Sequence, residues 1–280
     1  MIKIITDTAS DITMKQAKEM DVTLLALPVN FGETQYDQLS DEDFTKFYEM
    51  LENSKELPVT SLLSPEKYLK VFEAAKKNRD SVIVIPLSSK LSGTYQSALL
   101  AKEMVEYEDI HIIDTNQALI GQRMLVEYAV SLRDSGKNTK EIVANVSDAS
   151  GRIRLYAVVD TLKYLIKGGR LSKGVGIVGS ALHIKPIVAL KDGAVSTVDK
   201  VRGQDGAMKK LIQIISEDMD FDPDFPFCFG YTKSKGQLDE LSKLAKERFN
   251  LSNTMTYPIG GVIGTHAGPN VMAAVWMVKK

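Results

Sequence analysis

The chain has 280 residues, 44% of them hydrophobic, and 35 basic against 36 acidic side chains give a formal net charge of −1. That length suffices for one or two domains with real cores, and the balanced charge excludes the general electrostatic footprint of a nucleic-acid-binding protein, so no nucleic-acid partner is expected. One cysteine, Cys228, excludes an internal disulfide, no run approaches the ~20 apolar residues of a membrane span, and the opening MIKIITDTASD lacks a signal-peptide apolar region; the expectation is a cytoplasmic protein.

In chain order, Lys3 to Thr6 reads as a short buried strand, Thr13 to Met20 as a helix and Thr23 to Phe31 as a second strand. Asp43 to Glu52 is amphipathic, with Phe44, Phe47, Tyr48 and Leu51 on one face. Ser64-Pro65 opens a helix reaching about Lys77, with serine at the cap and proline in the first turn. Ser81 to Leu87 is a buried strand, Tyr95 to Val105 a helix, Ile110 to Asp114 a strand and Ala118 to about Arg133 a long helix. Gly136 closes that helix, and Thr139 reads as the cap of the next. This alternation predicts a mainly parallel sheet flanked by helices over residues 1–150. Ligands of such sheets gather at the carboxyl ends of the strands.

The second half reads differently. Leu155 to Val159 is a strand and Thr161 to Lys167 a short helix stopped by Gly168-Gly169. Asp192-Gly193 between Pro186–Leu190 and Ala194–Val201 signals a hairpin. A helix (204–217), a strand (227–232), a helix (236–249) and strands at 255–259 and 271–278 follow. The pattern predicts an α+β domain over residues 151–280 with a largely antiparallel sheet, closely packed on the first, the ligand enclosed between and within them.

Five segments carry potential chemistry. Ser88-Ser89-Lys90-Leu91-Ser92-Gly93-Thr94 joins a strand to a helix start, where unpaired N–H groups and hydroxyls favour an anionic head, carboxylate or phosphate. Asp7-Thr8-Ala9-Ser10-Asp11 ends the first strand; it is either a ligand-edge loop or a cap, by Ser10 or Asp11, for the helix near Thr13. Thr60-Ser61 precedes the capped helix and is either plain surface or a second pair of donors. Thr161 to Ser172 (TLKYLIKGGRLS) sets Lys163, Lys167, Arg170 and Lys173 around a double glycine, as a solvated helix end or a docking edge for phosphate or an acidic partner. Gly260 to Pro269 holds five Gly or Pro in ten positions and reads as an irregular loop in which His266 could donate to an anion or act as acid or base. His111 lies in a strand pattern and His183 in a helix pattern. Cys228, in FPFCFGY, reads as inert core. No phosphate-binding loop, zinc signature or serine-nucleophile elbow occurs.

Taken together, DTASD, TSLLSP (60–65), SSKLSGTYQSA (88–98), Asp114-Thr115, TLKYLIKGGRLS, KPI (185–187), VRG (201–203) and IGGVIGTHAGP (259–269) resemble the DegV family along the whole chain. The resemblance implies a two-domain lipid-binding subunit, not itself an enzyme, that encloses a long-chain fatty acid and presents its carboxyl group to a separate fatty acid kinase subunit. The acyl phosphate then enters phospholipid synthesis, with transient contact to a membrane-associated acyltransferase. It implies no cofactor or metal beyond the bound fatty acid. Residue by residue, Ser61 and Ser92 are implied as carboxylate contacts, with Thr60, Gly93 and Thr94 lining the same site and His266 over the carboxylate. Arg170 and Arg202 are implied in phosphoryl transfer or kinase docking. Leu63 stands where relatives commonly have proline, and Asn270 stands at a glycine position, which asparagine's tolerance of positive φ accommodates. Two other readings stay open: a lipid carrier or sensor without a kinase, and a Ser/His-dependent hydrolase or phosphotransferase.

Overall fold

The computed structural model describes residues 1–36, 40–172 and 183–280. Strands β1 (Ile2–Asp7), β2 (Val22–Leu25), β6 (Ser81–Ile85) and β7 (Ile110–Ile112) form a wholly parallel sheet in the order β2-β1-β6-β7. Ile4, Ile5 and Val82 to Ile85 are buried from both faces, as parallel strands between helices must be. The covering helices are α1 (Met14–Glu19), α3 (Pro65–Asn78), α4 (Thr94–Val105), α5 (Leu119–Asp134) and α6 (Thr139–Arg152).

A six-stranded sheet follows in the order β10-β9-β8-β13-β11-β12, built from β8 (Ile153–Val158), β9 (Ile184–Lys191), β10 (Ala194–Arg202), β11 (Phe227–Tyr231), β12 (Thr254–Pro258) and β13 (Met272–Met277). Every pairing but β11–β12 is antiparallel. Helices α8 (Gln204–Glu217) and α9 (Gly236–Phe249) cover one face through Met208, Leu211, Leu238 and Leu241. The fold class is therefore α/β, parallel first sheet and mostly antiparallel second. The expected boundary at residue 150 falls in the last turn of α6, so the two lobes we propose are joined by continuous backbone. Their cores are not separate: Ile4, Ile83 and Leu125 share one apolar cluster with Leu155, Val275 and Met277.

Several local expectations need correction. The strand expected over 23–31 is two strands. Pro28 has no N–H to continue a ladder, and Val29–Phe31 (β3) pairs instead with β4 (Thr34–Tyr36) and β5 (Val59–Thr60) in a small third sheet. Thr13, not Ser10 or Asp11, caps α1, in a reciprocal box with Gln16. Asn138, not Thr139, caps α6, because its carboxamide reaches the amide of Glu141 at 3.0 Å. His183 sits in a turn at φ +75° rather than in a helix. The amphipathic stretch is α2 (Asp41–Asn53), and the short basic helix is α7 (Lys163–Lys167). The glycine-dense segment is not irregular: Gly261–Ala267 forms α10. Its glycine face fits against aromatic rings, since a Cβ at Gly261 would stand 2.5 Å from Tyr36 and one at Gly264 would stand 2.6 Å from Tyr48. Cys228 is fully buried, and burial pushes its thiol up to about 12. Asn270 adopts φ +59°, as the glycine-position reading requires. Among the described residues no helix is long and apolar enough to cross a membrane.

Candidate functional site

The DTASD segment is scaffold. Asp7, at the end of β1, is fully buried and accepts hydrogen bonds from the amides of Ala9 (3.0 Å) and Leu87 (3.0 Å) and from Gln122 Nε2 (3.2 Å). Burial outweighs those three donors and pushes its carboxyl up to about 6. Thr8 Oγ1 accepts from the Leu27 amide at 3.0 Å. Asp11 turns the chain at φ +56° and accepts from the Gly260 amide at 2.9 Å, which fixes the start of α10 from 249 residues away. Tyr48 adds a bond to the Ile259 carbonyl at 2.8 Å. The segment expected at the ligand edge thus holds the helix that carries His266.

The Ser88–Thr94 turn divides its labour. Ser88 donates to the Gly193 carbonyl at 2.7 Å, tying the first lobe to the tip of the β9–β10 hairpin. Ser89 is committed to the Asp114 carboxylate. Thr94 is buried; its Oγ1 lies 2.9 Å from Ser92 Oγ and accepts from the Leu63 amide at 3.3 Å. A proline at 63 could not make that last bond, so the Leu63 departure gives the turn a support of its own. Gly93 caps α4, and a Cβ there would stand 2.9 Å from the Leu62 side chain. Only Ser92 of this turn's hydroxyl groups reaches the cavity described next. Gly93 and Thr94, expected to line it, stand behind Ser92 because the helix start turns them toward Leu62 and Leu63.

Where the first half of the chain meets one face of the second sheet lies a cavity whose open space, mouth and adjoining solvent included, is about 910 Å³. Its lining is aliphatic except for Thr60, Ser61, Ser92, Arg170 and His266; among the described residues it includes no Phe, Tyr or Trp. One face of the second sheet forms its floor. Leu155 and Ala157 alternate along β8, Val159 follows just past its end, and Ala157 pairs with Ala273 on one side and Val188 on the other. Two alanines on that face, 157 and 273, leave room where larger side chains would close it. Leu87, Leu119 and Leu165 close the sides, and Val262 and Ile263 of α10 the roof.

The five polar residues converge from four segments. Thr60 ends β5, and its Oγ1 lies 2.8 Å from His266 Nε2. Ser61, exposed at the rim, is held by its amide to the Pro28 carbonyl at 3.1 Å. His266 Nδ1 is buried and has no hydrogen-bond partner among the described residues. A proton on Nε2 leaves Nδ1 with only a bare lone pair, whereas the other tautomer would bury an unpaired N–H at about 1–3 kcal/mol. On the favoured tautomer Nε2–H donates to Thr60, whose own proton is left for a ligand. Burial, with Arg170 as a second cause, pushes the imidazole down to about 4, so it is neutral at pH 7. Neither serine of the site meets His266, and no carboxylate orients its ring; the pairing that a Ser/His hydrolase needs is not formed among the described residues.

Arg170 is half-buried. Its Nε donates to the Leu91 carbonyl at 2.9 Å and its Nη1 to the Gly168 carbonyl at 2.6 Å, yet it has no carboxylate partner among the described residues. Desolvation lowers its pKa. Arg202, exposed at the end of β10, does not line the cavity. Lys163 and Lys167 are exposed on α7, and Lys173 lies outside the described residues. Two features went unforeseen. Gly168 lets His266 approach: a Cβ there would stand 2.2 Å from Nδ1. The floor alanines carry no chemical signal of their own, although the helical spacing of Val262, Ile263, His266 and Ala267 could have marked α10 and its cavity face.

Fold and cavity define a class of protein: a parallel sheet and a mostly antiparallel sheet, with their helices, around an aliphatic chamber with a polar mouth. A family model described as an uncharacterised protein of the DegV family matches residues 1–279, and the chain belongs to that family. It is 35% identical over 280 residues to a DegV domain-containing protein of Caldanaerobacter subterraneus, covering 100% of this chain and 99% of that one. Among solved structures it is similar to a fatty acid binding DegV family protein of Streptococcus agalactiae, 27% identical with TM-score 0.86 over 100% and 99% of the two chains. It is also similar to a stearic acid-binding protein of Eubacterium ventriosum, 26% identical with TM-score 0.85 over 99% and 98%.

Proposed function

We propose that the protein encloses a long-chain fatty acid, tail in the aliphatic chamber and carboxylate at the mouth. The observation that carries this reading is the pairing of a lining with no Phe, Tyr or Trp among the described residues with a half-buried Arg170 that has no carboxylate partner among them. About 14 buried methylenes at ~0.8 kcal/mol each supply roughly 11 kcal/mol of gross driving force, reduced by ordering costs. The polar groups decide orientation and head-group identity. Thr60, Ser61 and Ser92 offer hydroxyl donors, and Arg170 offers charge. Denaturing the purified protein, extracting it with organic solvent and weighing the extract by mass spectrometry tests the reading. A stoichiometric fatty acid supports it; an empty protein with no measurable fatty-acid affinity refutes it.

The finer reading is that the protein acts as the lipid-binding subunit of a two-component kinase. A partner subunit phosphorylates the presented carboxyl group, and Arg170 and Arg202 serve that transfer or the docking. The exposure of Arg202 at the end of β10, where a partner can reach it, together with Arg170 in the cavity lining favours this over a plain carrier. Acyl phosphate formed from ATP and the loaded protein only when the kinase subunit is added supports it; Arg202→Ala should then lower turnover while leaving fatty-acid affinity within twofold.

A further inference from the structure

Helices α7 and α10 meet through two glycines placed as mirror counterparts. Gly168, the residue after α7, receives the His266 ring of α10; Gly268, the residue after α10, receives the Tyr164 ring of α7. A Cβ at Gly268 would stand 2.4 Å from Tyr164 Cδ2 and 2.6 Å from its Cε2, so the aromatic face lies directly on the backbone. Each helix thus lays one side chain over the other's terminal glycine.

Gly168 is the common point of this clasp. Its amide donates to the Tyr164 carbonyl at 2.8 Å, its carbonyl accepts from Arg170 Nη1 at 2.6 Å, and its Cα faces His266. The neutral donor system (Thr60 and His266) and the cation (Arg170) therefore take their spacing from one residue. Gly168 has ordinary helical backbone at φ −74°, ψ −7°, so nothing in its own conformation fixes the contact. Asp11 and Tyr48 hold the start of α10; at its end, the second half of the clasp is what meets α7.

We infer that Tyr164 is a positioning residue. By seating on Gly268 it holds α10 against α7 and so sets the distance between His266 and Arg170 at the mouth. It acts on the ligand head group only through those two residues. The meaning of that head group rests on the fatty-acid reading; the clasp itself does not. The charges near it are Arg170, which acts on His266, and Asp160 and Glu52, which act on Tyr164.

Histidine-selective NMR gives a readout that a merely stabilising ring would not move. The chain has three histidines, and His266→Asn assigns the resonance. In the wild type, His266 should stay neutral down to about pH 5. In Tyr164→Ala the imidazole should regain solvent, its proton affinity rising at least about tenfold, one pH unit, and fatty-acid affinity should fall about tenfold. Tyr164→Phe keeps the ring and should match the wild type in both. A folded Tyr164→Ala with unchanged His266 titration overturns the inference, as does a Tyr164→Phe as defective as Tyr164→Ala. If Tyr164→Ala does not fold, Tyr164→Leu keeps apolar bulk without a flat face, and a wild-type titration there overturns it equally. A wild type that binds no fatty acid, with His266 still answering to Tyr164, refutes the ligand reading and leaves the clasp standing. Intact binding with an unresponsive His266 does the reverse.

Discussion

Gly168→Ala isolates the contact between α7 and His266. The backbone there suits alanine without strain, and replacing glycine at such a position stabilises by about 0.4–1 kcal/mol through the unfolded chain. Against this stands the new methyl, 2.2 Å from Nδ1 and 3.0 Å from Cε1. Ordinary contact requires the ring to retreat by roughly 1 Å, which carries a 2.8 Å bond to Thr60 past any useful hydrogen-bond length. Overpacking costs about 1–3 kcal/mol and the lost bond about 1 kcal/mol, so the net effect is a destabilisation of about 1–3 kcal/mol. With His266→Ala only the Tyr164 carbonyl, 3.0 Å from the new methyl, is left in the way, and Gly168→Ala should become close to neutral. Urea denaturation of the four proteins in the cycle measures the difference. Equal effects of Gly168→Ala in both backgrounds, within about 0.5 kcal/mol, refute the packing argument.

Three further outcomes follow from the site. Arg170→Gln removes the only charged side chain that lines the cavity among the described residues, and titration calorimetry with a long-chain fatty acid should give affinity about tenfold to a hundredfold weaker. Ala273→Leu fills the floor opposite Ala157, and mass spectrometry of the extracted ligand should find chains shortened by about three carbons, at ~0.8 kcal/mol per methylene excluded. His266 is held near 4, below its unfolded value of 6.5, so the folded protein binds that proton more weakly and loses stability as pH falls from about 6.5 to 4. Replacing it with Gln removes about 3 kcal/mol of that loss, and the variant should gain on the wild type by that amount between pH 7 and 4 in urea midpoints. Asp7, held near 6 and above its unfolded 3.8, works in the opposite sense: its buried charge is fully unfavourable above pH 6 and is relieved on acidification. That contribution is common to both proteins and cancels in the comparison.

Periodicity and punctuation made most of the fold legible. Buried runs such as SVIVI and the Asp192-Gly193 turn announce their strands through local chemistry alone, and the structure keeps them. The third sheet was not legible, because β3, β4 and β5 are two or three residues long and exist only through pairing across distant sequence. Helix α10 was hidden because its glycines, read as loop formers, serve to admit Tyr36, Phe47 and Tyr48. In the site, Thr60, Ser61, Ser92, Arg170 and His266 do converge on one mouth. Gly93 and Thr94 do not, since a helix start presents only some of its side chains to one side. The role of Asp11 as an anchor for Gly260 could not be read from a motif at the other end of the chain.

The placement of β13 has a consequence for synthesis. Of the strands described it comes latest in the chain, yet it lies in the middle of its sheet, between β8 and β11. Until it emerges from the ribosome, both neighbours present an unpaired apolar edge, the kind of surface that holdase chaperones recognise and that aggregates when left waiting. Val271 and Ala273 also complete the chamber wall. A nascent chain stalled short of them has no closed chamber to fill, so on the proposed function the ability to take up a lipid appears only once the second lobe has closed, and cargo loading doubles as a report that translation has passed residue 273.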